Sequence, residues 1–216
     1  LPAVDGLLRN LAGSQLLRGT YSADYGQYAY VQGYDLYVMD TRTGAERAVT
    51  TGGSDSLLNG RPDWVYPEEF NQLETYWFSP DGSKLAYLQF DEQPVRAFPI
   101  VHELEHAVEL ERQRYPLAGA PNPIVRLFVA DLRSGKTVAV DTKSTSDNYI
   151  LRPTWTTDGR ALLFQRLNRR QNRLELLSAD PATGATLWQH QMLSGVATPA
   201  PSRPGRSDCG TRGWAC

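Results

Sequence analysis

The chain is 216 residues long, and its 41% hydrophobic and 21% charged residues are an ordinary globular composition that excludes global disorder. Its net charge of −2 comes from interspersed acids and bases, which leaves no basic face for nucleic acid or an anionic membrane. No apolar run approaches the roughly 20 residues that cross a bilayer, and since the chain has neither an initiator Met nor a signal-peptide pattern, we expect the natural amino terminus to lie upstream.

Along the chain, one pattern occurs three times: a Ser/Thr-x-Asp turn, a short apolar strand, and a second strand that ends in Asp and a Gly-containing turn. The copies begin at Ser22-Ala23-Asp24, Ser79-Pro80-Asp81 and Thr156-Thr157-Asp158, and end at Asp40–Gly44, Asp131–Gly135 and Asp180–Gly184. Asp and Gly suit tight turns, and aromatic and β-branched residues fill the strands between them. Each copy is therefore predicted to form antiparallel strands of one sheet.

The spacing of the copies indicates which all-β fold they build. The strand-end residues Asp131 and Asp180 are 49 residues apart, close to the roughly 40 to 50 residues of a propeller blade. We predict an all-β fold over residues 1–193, a partial β-propeller of about three blades, and other all-β folds such as a sandwich remain the alternative.

Between the first two copies lies the segment Asp63-Trp64-Val65-Tyr66-Pro67-Glu68-Glu69-Phe70. Proline at a first helical position followed by two glutamates predicts a short helix that starts at Pro67. In a helix the carboxylates of Glu68 and Glu69 could converge on one ammonium group, which needs charged hydrogen-bond acceptors when it leaves water. The alternative is that both glutamates only stabilise the start of the helix.

The second copy carries an insertion, with an arm at about 94–119, in which Val101 to Arg114 is rich in Glu, Leu, His and Arg and could be helical or a long arm. It contains His102-Glu103-Leu104-Glu105-His106, which matches the H-E-x-x-H pattern of zinc peptidases. A catalytic zinc needs a third protein ligand, and the only other histidine is His190. We therefore predict a solvated arm without a metal, with a zinc peptidase as a distant alternative.

The last segment, 194–216, differs in composition from the rest of the chain. Gly, Pro, Ser, Arg and Ala dominate it, and Asp208 is its only acid. Such a composition cannot bury a core. We expect an aberrant or disordered tail, and resequencing of the parent locus tests whether a shifted reading frame produced it.

Several segments together resemble one family, the dipeptidyl peptidase IV branch of the prolyl oligopeptidase clan of serine peptidases. The resemblance covers residues 20 to 188 and rests on these motifs in order: Asp63 to Phe70, Trp77-Phe78-Ser79-Pro80-Asp81-Gly82, Gln89-Phe90, Tyr115-Pro116, Asn122-Pro123 and Gln165-Arg166-Leu167-Asn168-Arg169. The chain resembles a fragment of the family's N-terminal β-propeller domain, which implies about three blades of an eight-bladed propeller.

For function, the resemblance implies that Glu68 and Glu69 bind the protonated amino terminus of a peptide substrate. Anchoring that end fixes which bond is cut, so that dipeptides are released, typically after Pro or Ala. Family members often have a further Glu where Pro67 stands here. The resemblance requires no cofactor or metal. It implies a homodimer in which the arm contributes to the contacts between subunits, and a periplasmic or secreted location.

The catalytic residues of such an enzyme would lie in a C-terminal α/β-hydrolase domain. The sequence contains no G-x-S-x-G segment, so we assign no catalytic residue and expect the Ser-Asp-His triad to lie in the parent protein outside this chain. The alternative from another functional class is a non-enzymatic propeller that serves as a binding module.

Overall fold

The computed structural model describes residues 17–102 and 109–192, and three antiparallel sheets follow one another along this part of the chain. The first sheet contains four strands in chain order: β1 (Leu17–Tyr21), β2 (Gln27–Gln32), β3 (Asp35–Asp40) and β4 (Glu46–Ala48). The second sheet contains five strands: β5 (Leu57–Asn59), β6 (Tyr76–Phe78), β7 (Lys84–Asp91), β10 (Ile124–Asp131) and β11 (Thr137–Ala139). The third sheet contains β12 (Asn148–Trp155), β13 (Leu162–Asn168), β14 (Leu174–Ala179) and β15 (Thr186–Met192).

The second sheet is buried on both faces, because the other two sheets pack against it. Successive side chains of a strand point to opposite faces. In β7, Leu85 and Tyr87 therefore join a core cluster with the first sheet. Ala86, Leu88 and Phe90 join a second cluster with the third sheet. This explains why β7 is an almost continuous apolar run, whereas a sheet with one wet face would alternate.

The predicted Ser/Thr-x-Asp turns are present in all three copies with the same hydrogen bonds. The hydroxyl donates to the aspartate two residues later, at 2.6 Å for Ser22, 2.7 Å for Ser79 and 2.7 Å for Thr156. The same hydroxyl oxygens accept a backbone N–H five residues later, those of Gln27, Lys84 and Ala161. At the other end of each copy, the N–H of Gly44, Gly135 and Gly184 donates to the carbonyl of the strand-end aspartate, and all three glycines have positive φ.

The insertion in the second sheet forms a hairpin of its own. Its strands are β8 (Ala97–His102) and β9 (Glu109–Arg114), which pair with each other in an antiparallel sheet. The inserted arm is therefore confirmed, and the helical alternative is wrong for the residues described, because these residues pair as strands. The predicted tail at 194–216 lies outside the described residues.

One edge strand from each of the three sheets lies beside a common space. Residues of β1, β6 and β12 line one cavity of about 670 Å³. Sheets that pack face to face in chain order, each with one edge towards a common space, are the blades of a propeller. The described chain is a sector of about three blades, as the repeat spacing predicts.

Candidate functional site

The Asp63–Phe70 segment belongs to an excursion from the inner edge of the second sheet. Both β5 and β6 pair with β7, and the chain between them, residues 60–75, leaves the sheet. The two ends of the excursion meet at one residue of β7: Gly60 N–H donates to the Leu88 carbonyl at 2.9 Å, and Leu88 N–H donates to the Thr75 carbonyl at 2.8 Å. The Thr75 hydroxyl closes the neck with a 2.6 Å bond to the Gly60 carbonyl.

Within the excursion, helix α1 (Val65–Phe70) begins two residues earlier than predicted. The reason is Asp63, whose Oδ1 accepts the Tyr66 N–H at 3.0 Å and caps the first turn. Pro67 therefore stands third in the helix. The N–H groups of the first turn have no partner within the helix, so a proline at this position costs no backbone hydrogen bond. The helix ends at Asn71, which has a left-handed backbone with φ of 48°.

The buried face of α1 is attached to both neighbouring sheets. Val65 and Tyr66 are buried, and the Tyr66 ring packs edge-to-face on Phe90 of β7 with 4.7 Å between ring centroids. The Tyr66 hydroxyl reaches the backbone of Ile150 in β12. These contacts fix the helix, so that its opposite face is presented by a rigid support.

That opposite face carries Glu68 and Glu69, whose side chains are both exposed. Glu68, with Trp64 and Pro67, lines a groove of about 490 Å³ between α1 and the arm strand β9. Glu69 does not line this groove. It faces Tyr149, where burial raises the pKa of the hydroxyl and the charge of Glu69 adds to the increase.

A second pair of carboxyl groups lies beneath the groove, and the sequence analysis did not predict it. Asp63 and Glu92 are each only 6% exposed, and both line the groove. The pKa of each is raised to about 7, mainly because both are buried; for Glu92 the charge of Asp63 contributes to the increase, whereas Arg114 and Arg61 oppose it. The position of Asp63 three residues before Tyr66 is a capping signal, but nothing near Glu92 in the sequence points to its burial.

Arg114 connects the arm to this cluster. Its Nη1 donates to the Val95 carbonyl at 2.9 Å, and its Nε donates to the Asp55 carbonyl at 3.3 Å. The base of the arm is therefore held beside α1, and the arm forms one wall of the groove that contains Glu68.

The described part of the chain does not bring the predicted zinc ligands together. His102 is the last residue of β8, and His106 lies outside the described residues. Among the residues described, no three His, Cys, Asp or Glu side chains are placed to hold a metal ion. The described residues also contain no helix that is long and apolar enough to cross a membrane.

Blades in sequence, with a capped helix set into the inner edge of one of them, define this chain as part of a β-propeller domain. Comparison with known proteins gives the family: residues 7–199 match the model of the dipeptidyl peptidase IV (DPP IV) N-terminal region, and the chain belongs to that family.

Individual relatives are consistent with the family. The chain is 34% identical over 160 residues to dipeptidyl peptidase 4 of Trichophyton tonsurans, a match that covers 69% of this chain and 20% of the relative. It is 33% identical to dipeptidyl aminopeptidase B of Saccharomyces cerevisiae, covering 70% of this chain and 20% of the relative. The crystal structure of Porphyromonas gingivalis dipeptidyl peptidase 4 superimposes with a TM-score of 0.75 at 29% identity, covering 82% of this chain and 26% of that one. The chain thus spans about a fifth of the length of the curated relatives.

Proposed function

We propose that this chain is the substrate-gating part of a dipeptidyl peptidase IV-type serine exopeptidase, in which Glu68 and Glu69 bind the protonated amino terminus of the peptide. The observation that carries the proposal is the attachment of α1. A helix buried on one side against two sheets presents two exposed carboxylates on the other side. Such a support holds charged acceptors in place before the ligand arrives, which lowers the entropic cost of binding.

The two glutamates have different surroundings. Glu68 lies in the groove beside the arm, where the guanidinium groups of Arg61 and Arg114 offset the negative charge of the carboxyl cluster. Glu69 lies on the side of Tyr149, whose hydroxyl accepts a 2.8 Å bond from the Asn122 side chain. An ammonium group between the two flanks would donate charge-assisted hydrogen bonds to carboxylates on both sides of the helix.

The test is hydrolysis of a glycyl-prolyl chromogenic substrate by the full-length parent protein. Glu68→Gln and Glu69→Gln each keep the side-chain size, and we expect kcat/KM to fall at least 100-fold, as for a lost charge partner of a bound ammonium. Glu46→Gln is the matched control, because Glu46 is exposed on β4, at the far edge of the first sheet from β1. An active parent that is indifferent to both changes contradicts the assignment of the site, and a folded but inactive parent favours a non-enzymatic binding module.

We also propose that the parent is a homodimer with the arm in its interface. The arm exposes apolar side chains on its strands and just beyond them: Phe98, Val101, Leu110 and Leu117. Apolar side chains that are exposed together on one projecting element mark interaction surfaces. Sedimentation of the parent with Phe98 and Leu110 both changed to Ser should show monomers, and an unchanged dimer would place the interface elsewhere.

A further inference from the structure

The cavity of about 670 Å³ between β1, β6 and β12 is separate from the groove that contains Glu68. It is lined by the segment that follows α1, from Phe70 to Glu74, and by Arg152–Thr154 of β12. Arg152 and Glu74 are the charged residues in this lining, and both side chains are exposed. The cavity therefore adjoins the end of the helix opposite to the capped end.

The backbone of Arg152 has an unusual conformation. Its φ is 50°, in the left-handed region that residues other than Gly, Asn and Asp rarely adopt. The next residue is Pro153, and a residue before proline is restricted to extended conformations. The pairing of β12 with β13 also shifts register between Leu151 and Thr154, an irregularity of the kind that redirects a side chain.

The strained conformation is held from the α1 segment. Arg152 N–H donates at 3.0 Å to the side-chain oxygen of Gln72, which is only 7% exposed. Gln72 is fixed in turn, since its own N–H donates to the Tyr66 carbonyl at 3.0 Å. A buried glutamine thus holds the backbone of Arg152, a residue that lines the cavity.

The guanidinium of Arg152 has no ion-pair partner among the described residues, whereas Arg166 in the next strand is paired with Glu175 at 2.8 Å. A guanidinium presents a planar set of donors that matches a carboxylate and can bind it through two parallel bonds. Backbone strain at an exposed charged residue is typical of positions that contact a ligand, because strain without such a role would be removed by a simple substitution.

We propose that Arg152 is a specificity-determining residue that binds a carboxylate of the peptide ligand in this cavity. The proposal rests on the proposed function in that it takes a peptide as the ligand. The carboxylate is either an acidic side chain or the carboxyl terminus of a short peptide, and both have the same chemistry. Peptides that carry such a group are bound more tightly than neutral peptides of the same length.

The test measures a preference by calorimetry with the full chain and two pairs of peptides. The first pair, Gly-Pro-Asp-amide and Gly-Pro-Asn-amide, reports an acidic side chain. The second pair, Gly-Pro-Ala with a free carboxylate and Gly-Pro-Ala-amide, reports the carboxyl terminus. We expect the charged member of at least one pair to bind at least tenfold more tightly, and the pair that shows the preference identifies the source.

The matched variants are Arg152→Asn and Arg160→Asn. Asn tolerates the left-handed backbone, so Arg152→Asn should fold, keep its N–H bond to Gln72 and lose the preference. Arg160→Asn removes the same charge from an exposed turn residue, and it should keep the preference. Arg152→Lys should keep part of it, because the charge remains without the paired donors.

Repeating the measurement with N-acetylated peptides separates this proposal from the ammonium site. Acetylation converts the charged amine into a neutral amide, so binding through Glu68 and Glu69 is lost for every peptide. The ratio of the two affinities within each pair persists if Arg152 binds the carboxylate. Equal affinities within both pairs for the unmodified chain, or a preference that survives in Arg152→Asn, would overturn the proposal.

Discussion

The hydroxyl of Tyr66 makes two hydrogen bonds to the backbone of one distant residue, Ile150. It donates to the Ile150 carbonyl and accepts from the Ile150 N–H, each at 2.9 Å. Both groups are buried, so the backbone of β12 has a side chain from α1 as its partner at this point. The helix with the two glutamates is therefore attached to the third sheet as well as to the second, from which it emerges.

Removing this hydroxyl should destabilise the chain. In Tyr66→Phe the buried N–H and carbonyl of Ile150 lose their partner, and we expect the free energy of unfolding to fall by about 2 to 3 kcal/mol. Urea denaturation followed by tryptophan fluorescence measures the change. Tyr25→Phe is the control, since Tyr25 is 72% exposed, and it should cost less than about 0.5 kcal/mol. Equal effects of the two changes would mean that the two hydrogen bonds of the Tyr66 hydroxyl do not contribute to the free energy of unfolding.

The repeated Asp-to-Gly turns allow the steric and conformational effects of a side chain to be separated. Gly135 and Gly184 occupy equivalent turns with φ of 73° and 76°. A Cβ at Gly135 would meet no atom within 4 Å, whereas at Gly184 it would collide with the carbonyl of Ala139 in β11.

We therefore expect Gly135→Ala to cost about 1 to 2 kcal/mol, the cost of a left-handed alanine. Gly184→Ala should cost at least about 2 kcal/mol more, because the neighbouring strand has to move. Thermal or urea unfolding of the two variants side by side measures the difference. Equal costs would show that the contact between the second and third sheets yields easily at this point.

The buried pair Asp63 and Glu92 should make stability decrease as the pH rises. Burial raises the pKa of both to about 7, from reference values near 4 in an unfolded chain. Between these values the folded state binds more protons, so the free energy of unfolding is highest at the acid end of this window and falls towards pH 7. We expect a loss of roughly 2 to 4 kcal/mol between pH 5 and pH 7.5.

The double variant Asp63→Asn, Glu92→Gln should have a flat profile over this window. Asp147→Asn, a change at an exposed aspartate, should keep the slope of the unmodified chain. The turn aspartate Asp81 does not interfere, since its hydrogen bonds to Ser79 and Ser83 lower its pKa, and its contribution is lost only at more acidic pH. A slope that persists in the double variant would assign the pH dependence to other groups.

The sequence predicts the blades well because their signals are local. Ser79 and Asp81 lie within one turn, and Asp131 and Gly135 lie within another, so the residues that form each contact are neighbours in the chain. The burial of β7 on both faces also has a local signal, the apolar run Leu85-Ala86-Tyr87-Leu88.

The candidate site was only partly predictable, because its attachments join residues far apart in sequence. The helical position of Glu68 and Glu69 follows from the local segment, although the helix starts two residues earlier than the proline signal indicates. The clamp on Arg152 by Gln72 and the bonds of Tyr66 to Ile150 depend on how two sheets pack, which no local pattern records. The burial of Glu92 is likewise a product of tertiary packing.

The neck of the excursion has a consequence for how this domain can be altered. Because the chain leaves and rejoins the inner edge at the backbone of the single residue Leu88, the neck fixes where the excursion joins β7. The exposed positions Glu68 and Glu69 can therefore be varied while the blade keeps its shape, whereas Val65 and Tyr66 have to be kept, because they pack in the core between two sheets.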